Sequence, residues 1–144
     1  MSWNNIPSDE RLRLWKTLRV DIADKELSVQ MEEIAKFFAS MPFGARTMNY
    51  YDPLEWPTPW EILYHGSYCK SSISLLMFYT FLLLKTEHKI ELHLIDDGDE
   101  VYLLPVINDQ FVLNYELGRI SNYSDISVFE HKQTFNKTQI KQLA

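Results

Sequence analysis

Cysteine is almost absent from this chain of 144 residues, which has one, Cys69. A single cysteine cannot form a disulfide within the chain, and this is typical of proteins from a reducing, intracellular compartment. The first 15 residues, MSWNNIPSDERLRLW, also lack the charged-then-apolar order of a secretion signal. We therefore expect a cytoplasmic location.

Basic residues are in the minority, and they form no cluster along the sequence. Fourteen Lys and Arg stand against twenty Asp and Glu, which gives a net charge of -6 at pH 7. A protein that follows a phosphate backbone needs grouped positive charges. Nucleic acid is therefore not an expected partner.

Long hydrophobic runs and metal-binding spacings are lacking as well. The apolar run from Ser72 to Leu84 is shorter than the roughly 20 residues that span a bilayer, so we expect no membrane segment and a helix covered by protein. One cysteine and scattered histidines cannot form a local zinc site. The acidic stretch DDGDE at 96–100 lacks the full spacing of a calcium loop and predicts a solvated hairpin turn. We expect no metal and no cofactor.

The chain is rich in residues that build a core: 46% are hydrophobic and 14% are aromatic. This length and composition predict a single domain over 1–144. Apolar residues at helical spacing predict one amphipathic helix behind a Ser8 cap and a second one over 27–38. The proline-containing segment 41–57 is expected to be irregular.

Helix-start signals concentrate just before Cys69. Thr58 and Glu61 have the spacing of a capping box, and Pro59 suits a first helical position, so a short helix is expected from 59 until Gly66. Ser67 then has a capping position. This would place Cys69 in the first turn of a buried helix ending near Lys85, where the helix dipole lowers a thiol's pKa.

The sequence after residue 85 alternates and is rich in β-branched residues. It predicts an antiparallel meander with strands at 89–96, 100–107 and 110–115, joined by turns at Asp97-Gly98 and Asn108-Asp109. A polar extension over 121–144 would add at most one strand, near 126–130. Helices first and a meander afterwards predict an α+β fold, with the helix headed by Cys69 packed on the sheet.

The stretch DPLEWPTPWEILYHGSYCKSSISL resembles the D-x-W-x-T-P-x-E-x-L and G-D-C-E-D pattern of the bacterial transglutaminase-like cysteine proteinases. VYLLPVINDQFVLNYELGRI is similar to that family's H-x-V-L-x-V strand and the strand that follows it. The resemblance covers roughly 27–120. It implies a papain-like or transglutaminase-like fold, with Cys69 at the position of the nucleophile.

Departures from that pattern fall on the chemistry. The acidic residues around the family's cysteine are replaced by Tyr68, Lys70 and Ser71. The family's catalytic histidine falls on Val101, and its aspartate falls on Asn114. An asparagine can still orient an imidazole, but valine cannot transfer a proton.

The remaining candidates for catalysis are Cys69 as nucleophile, His93 as a relocated base and Asn114 as its orienting group. A two-residue hairpin at Asp97-Gly98 would pair His93 with Tyr102 and turn its side chain away from the face of Val101. A register slip of one residue would reverse that orientation.

Aromatic residues before and beside Cys69 have two interpretations. Trp56, Trp60 and Tyr68, with Tyr64, can form a wall that binds a substrate, or they can build core. A lone cysteine next to an apolar run is likewise often a small core residue.

Two functions follow from these alternatives. In the first, the protein is a catalytically degenerate transglutaminase-like module that serves as a binding or structural part of an assembly such as a virion, with a protein as its partner. In the second, it is a cysteine hydrolase or acyl-transferase, with a protein substrate attacked by Cys69. The lost histidine and acidic residues favour the first. Fold alone decides neither, because function resides in the site.

Overall fold

A computed structural model describes residues 3–41, 48–65 and 69–140. It contains five α-helices: α1 (Ser8–Ile22), α2 (Leu27–Phe38), α3 (Pro59–His65), α4 (Lys70–Leu83) and α5 (Tyr123–Ile126). Single turns of 3-10 helix at Trp3–Asn5 and Pro53–Glu55 precede α1 and α3. The amphipathic helix predicted over 27–38 is confirmed as α2. Ser8 is the first residue of α1 rather than its cap, since Pro7 occupies the N-cap position.

The short helix predicted after Thr58 is confirmed. The Thr58 hydroxyl accepts the backbone N–H of Glu61 at 3.2 Å, and the Glu61 carboxylate accepts the Thr58 N–H at 3.4 Å. These reciprocal bonds form the expected capping box and satisfy donors that the first helical turn leaves unpaired. Gly66 and Ser67, which were predicted to separate this helix from the next, lie outside the described residues.

Helix α4 is the buried helix of the fold. Residues 71–81 are all buried, because the segment is apolar on every side and is covered by α2, α3 and the sheet. The helix ends at Leu83, two residues before the predicted end, and Lys85 follows with a left-handed φ of 56°. Over the described residues, no helix is long and apolar enough to cross a membrane.

Over the part of the chain that the structure describes, five strands form one antiparallel sheet. They are β1 (Ile90–Asp96), β2 (Val101–Ile107), β3 (Phe111–Leu113), β4 (Ile120–Asn122) and β5 (Glu130–Phe135). Their order across the sheet is β4-β3-β2-β1-β5. The first three therefore confirm the predicted meander, β4 adds a fourth strand that was not predicted, and the last strand returns to pair with β1. Helix α4 packs mainly on β2, so the sheet, the helices and the expected α+β fold agree.

The polar end of the chain departs most from the sequence prediction. The strand predicted near 126–130 is displaced: residues 126–129 contain the end of α5 and a turn, and β5 starts at Glu130. Phe135, at the end of β5, is fully buried and contacts Trp56 edge to face, with ring centroids 4.8 Å apart. The alternation of apolar and polar residues is weak in this segment, because the side chains of β5 are exposed or half-buried up to its last residue.

Candidate active site

Cys69 is the residue immediately before α4 and is partly exposed. Its backbone is extended, with φ −68° and ψ 164°, so it occupies the N-cap position rather than the predicted first turn. Its Sγ lies 3.4 Å from the Ser72 hydroxyl, and that hydroxyl lies 3.4 Å from the Met48 sulfur. The predicted cap residue Ser67 and the predicted substrate contact Tyr68 lie outside the described residues.

Ser71 joins the start of α4 to the sheet. Its hydroxyl accepts the backbone N–H of Leu103 at 3.1 Å and lies 3.0 Å from the Tyr50 hydroxyl. Burial raises the pKa of Tyr50, and the charge of a nearby Cys69 thiolate would raise it further. The phenol is therefore protonated at neutral pH, and its hydroxyl lies within hydrogen-bond distance of Ser71. Tyr50 was not predicted from the sequence, since nothing local marks a residue that reaches the site from an irregular segment.

Asn114 lies beside the first turn of α4 and is buried, with 2% of its surface exposed. Its side-chain Nδ2 donates to the Lys70 carbonyl at 3.0 Å and to the Ser74 hydroxyl at 2.8 Å. The Lys70 carbonyl can only accept, and this fixes which end of the amide faces the helix. The Asn114 Oδ1 is left buried with no hydrogen-bond partner. Asn114 thus lies against the first turn of α4.

His93 faces the opposite side of the sheet. It pairs with Leu104 and not with Tyr102, because the β1–β2 connection is four residues long and Asp96 pairs with Val101. The predicted partner was therefore wrong by two residues. A shift of two preserves the face, so His93 still points away from the side of Val101, which packs against the main core with α4.

The surroundings of His93 explain why it does not serve Cys69. Its Nε2 lies 3.2 Å from a Glu91 carboxylate oxygen, and its ring contacts Tyr123 and His131 edge to face at 5.5 and 5.1 Å. Burial lowers the pKa of His93, and Glu91 opposes that shift only in part. The structure brings Cys69 and Asn114 to one end of α4 and leaves His93 behind the sheet, which does not support His93 as the relocated base.

The other histidines belong to different regions. The His88 ring forms a hydrogen bond with the Asn108 side chain, next to the start of β1 and the end of β2. His131 forms a hydrogen bond with Thr134 within the edge strand β5. His65 is the last residue of α3, and its ring contacts Tyr64 edge to face. Within the described residues, the hydrogen-bond partner of the Cys69 thiol is a serine hydroxyl and not an imidazole.

The lysine beside the thiol is directed elsewhere. Lys70 Nζ donates to the Tyr115 carbonyl at 3.3 Å and lies 5.5 Å from the centroid of the Tyr102 ring. Its charge is thereby held over the sheet rather than over the thiol. Lys70 consequently ties α4 to the segment after β3.

The predicted aromatic wall is divided by the structure. Trp56 is 1% exposed, and its indole N–H donates to the Asn49 carbonyl at 2.6 Å. It is a core residue, which corrects its assignment to substrate binding. Trp60 is 43% exposed and packs edge to face on Trp15, with ring centroids 6.4 Å apart. Trp60 is available to a partner on the surface, whereas Trp56 is not.

No protein-family model and no curated protein matches this chain by sequence. Solved structures match it by fold. This chain has the fold of LapG from Legionella pneumophila. One LapG structure superposes with a TM-score of 0.74 at 14% identity over 90% of this chain and 76% of LapG. An EGTA-treated form gives 0.75 at 14% identity over 90% and 74%. A calcium-bound form gives 0.73 at 14% identity over 95% and 85%.

The match to LapG confirms the transglutaminase-like fold class expected from the motif around Cys69. At 14% identity the match shows the fold alone and leaves the activity open. One of the LapG structures contains calcium. Among the described residues of this chain, no three His, Cys, Asp or Glu side chains are grouped so that they could hold a metal ion.

Proposed function

We propose that this protein is a catalytically inactive transglutaminase-like module that binds a protein partner as part of an assembly. The observation that carries the proposal is the face of His93. Across the start of α4 the sheet presents Val101 and Leu103, while the imidazole of β1 points to the opposite side. The scaffold therefore retains the position of the thiol without its proton acceptor.

Chemistry at Cys69 would need a base and an acid. Attack on an amide requires a thiolate, and expulsion of the amine requires a proton donor. The thiol lies 3.4 Å from the Ser72 hydroxyl, and the raised pKa of Tyr50 leaves less phenolate at neutral pH than an ordinary phenol would have. Neither group replaces an imidazole near neutral pH.

A binding role is supported by the distribution of exposed apolar side chains. Seven large hydrophobic residues of the described chain are exposed, and four of them fall within 51–64: Tyr51, Leu54, Trp60 and Tyr64. The whole stretch 48–65 contains three carboxylates and no lysine or arginine. Tyrosine and tryptophan on a protein surface are enriched where partners bind. A partner with apolar and basic residues would complement this stretch.

The absence of turnover is tested with purified wild-type protein, Cys69→Ser and His93→Ala, using peptide and glutamine amide substrates. We expect no amide turnover in any of them. Turnover by the wild type that disappears in Cys69→Ser, with the fold retained by circular dichroism, would contradict the proposal.

The binding role is tested by affinity capture from extracts of the source organism. We expect Tyr64→Ser and Leu54→Ser to lose a protein that the wild type and Cys69→Ser both retain. Val128→Ser is the matched control, because Val128 is 79% exposed and lies outside the 51–64 stretch. Equal capture by all variants would place the binding surface elsewhere and refute this part of the proposal.

The cysteine hydrolase stays the second candidate because of two features. The thiol is partly exposed, and the buried Asn114 Oδ1 is an acceptor with no donor. Amide turnover lost in both Cys69→Ser and His93→Ala would establish this enzyme with His93 as its base. Loss in Cys69→Ser alone would establish it with a different base.

The cellular setting is part of the same proposal. A cytoplasmic location and a role in a virion rest on the sequence, and cell fractionation followed by immunodetection in purified particles tests both. Detection in neither the cytoplasm nor particles would contradict them without affecting the proposed loss of catalysis.

A further inference from the structure

A cavity lies at the C-terminal end of α4, about 20 Å along the helix from Cys69. Its volume is about 680 Å³, and it is bounded by the end of α4, the connection to β1 and the residues after β5. Ligand pockets of proteins usually have volumes of roughly 300–1,000 Å³. The cavity has the size for a small molecule and shares no residue with the Cys69 site.

The inner lining of this cavity is apolar. It consists of Tyr79, Leu82, Leu83 and Ile90, from the last turns of α4 and the first residue of β1. Tyr79 is fully buried, and burial raises its pKa to about 12, so the ring carries no charge at neutral pH. Such a lining favours the apolar part of a ligand, since burying it removes apolar surface from water.

The rim of the cavity is positive, in contrast to the acidic chain as a whole. Three lysines, Lys85, Lys89 and Lys137, line it together with a single carboxylate, that of Glu91. This group of lysines occurs in a protein whose net charge is -6. A concentration of one sign of charge in a concave site attracts ligands of the other sign.

The lysines differ in how far their charge is already compensated. Lys89 Nζ bonds to the Asp109 carboxylate at 2.9 Å and lies 3.7 Å from that of Glu91. Lys85 is exposed, and among the described residues its ammonium has neither an ion-pair nor a hydrogen-bond partner. Lys85 is thus the cation best placed to receive an anionic group at the mouth of the cavity.

We propose that this cavity binds a small amphipathic carboxylate, whose apolar body packs on Leu82, Leu83 and Ile90 and whose carboxylate pairs with Lys85. The two halves of the site are both required by this ligand: the inner lining holds alkyl groups, and the rim supplies the counter-charge. A cationic amphiphile would meet the lysines unfavourably, and a neutral one would leave Lys85 without an anion. The proposal is independent of the function assigned to the Cys69 region.

The proposal is tested by isothermal titration calorimetry of the full chain with octanoate, octanol and octyltrimethylammonium. Octanoate is expected to bind saturably at one site, octanol about tenfold more weakly and octyltrimethylammonium not at all. Equal affinity for octanoate and octanol, or absence of saturable octanoate binding, would overturn it.

Variants of Lys85 connect the affinity to the cavity. Lys85→Asn should weaken octanoate binding about tenfold, and Lys85→Arg should retain it. Asparagine is chosen because it tolerates the left-handed φ of 56° at this position. Lys16→Asn, which removes an exposed charge from α1, is the matched control and should bind as the wild type does. Unchanged octanoate affinity in Lys85→Asn would refute the assignment of the carboxylate to Lys85.

Discussion

At the scale of single residues, the start of α4 combines a partly exposed thiol, Cys69, with a buried amide, Asn114. Asn114 has a left-handed φ of 64°, which asparagine tolerates better than most residues, and its Nδ2 is fully engaged by Lys70 and Ser74. Its buried Oδ1 accepts no hydrogen bond. Leaving such an acceptor unpaired costs roughly 1–3 kcal/mol.

Replacing Val101 by histidine should restore proton transfer at Cys69. Val101 lies on the face of β2 that packs towards α4. We therefore expect an imidazole there to donate an N–H to the Asn114 Oδ1 and to approach the thiol. We expect faster alkylation by iodoacetamide near pH 7 and amide turnover above the wild-type background.

Two controls accompany this gain of function. Val101→Leu should alkylate at the wild-type rate, and Val101→His combined with Cys69→Ser should show no turnover. A Val101→His variant that folds but alkylates no faster than the wild type would show that the thiol and the strand are too far apart for a triad.

Trp56 is expected to be a major contributor to stability. Trp56 is 1% exposed, its indole packs edge to face on Phe135, and its N–H donates a hydrogen bond. Trp56→Ala should lower the free energy of unfolding by about 3–5 kcal/mol in urea titrations. Trp60→Ala, at a position 43% exposed, should lower it by less. Equal losses in the two variants would contradict the difference in burial.

At the scale of elements, α3 and α4 begin in different ways. The first has a capping box formed by Thr58 and Glu61, whereas the Cys69 side chain accepts no backbone N–H at the start of α4. The second helix is instead held by tertiary contacts, through Ser71 to the backbone of β2 and through Lys70 to the carbonyl of Tyr115. Helices in proteins gain most of their stability from such packing.

Glu61→Ala should remove the capping box of α3 and lower the free energy of unfolding by about 1 kcal/mol. The measurement is a urea titration at neutral pH. Glu55→Ala is the control, because Glu55 is also exposed and acidic but lies in the preceding 3-10 turn. A loss in Glu55→Ala as large as that in Glu61→Ala would indicate a general effect of charge rather than capping.

At the scale of the whole molecule, β5 joins the end of the chain to its centre. It pairs with β1, and Phe135 inserts into the main core, so residues after 121 complete the sheet. The same pairing encloses His93 between β1, β5 and α5, beside Glu91, His131 and Tyr123. Burial of an imidazole at this junction makes the stability of the fold depend on pH.

The pH dependence has a definite sign. The pKa of His93 is lowered in the folded state, chiefly by burial, and its ordinary value is 6.5. Below that value the unfolded chain binds a proton more readily than the folded one, so stability should fall on acidification from about pH 6.5 and level off below the folded pKa. Urea midpoints between pH 7.5 and 5 measure this decline.

His93→Gln should reduce the decline, because glutamine does not titrate and can still bond to Glu91. His88→Gln should leave it unchanged, since His88 is exposed. An undiminished decline in His93→Gln would assign the effect to other groups of the cluster, His131 among them.

Local signals determined much of the helical part of this protein. The apolar spacing of 27–38 and the capping box at Thr58 act within one or two turns, so their outcome is written in neighbouring residues. The motif around Cys69 likewise indicated the transglutaminase-like fold that the LapG structures share. Predictions of which residues pair between strands were less reliable. The partner of His93, for example, depended on the length of the loop between β1 and β2.

The sequence by itself determined the α+β fold, the buried helix and the thiol at its start, because these follow from composition and local periodicity. Only the tertiary structure decided which strand pairs with β1, which face holds His93 and which aromatic residues are buried. The physical reason is that strand register and side-chain contact are set by residues far apart in the chain, whose closure depends on loops and on the whole core.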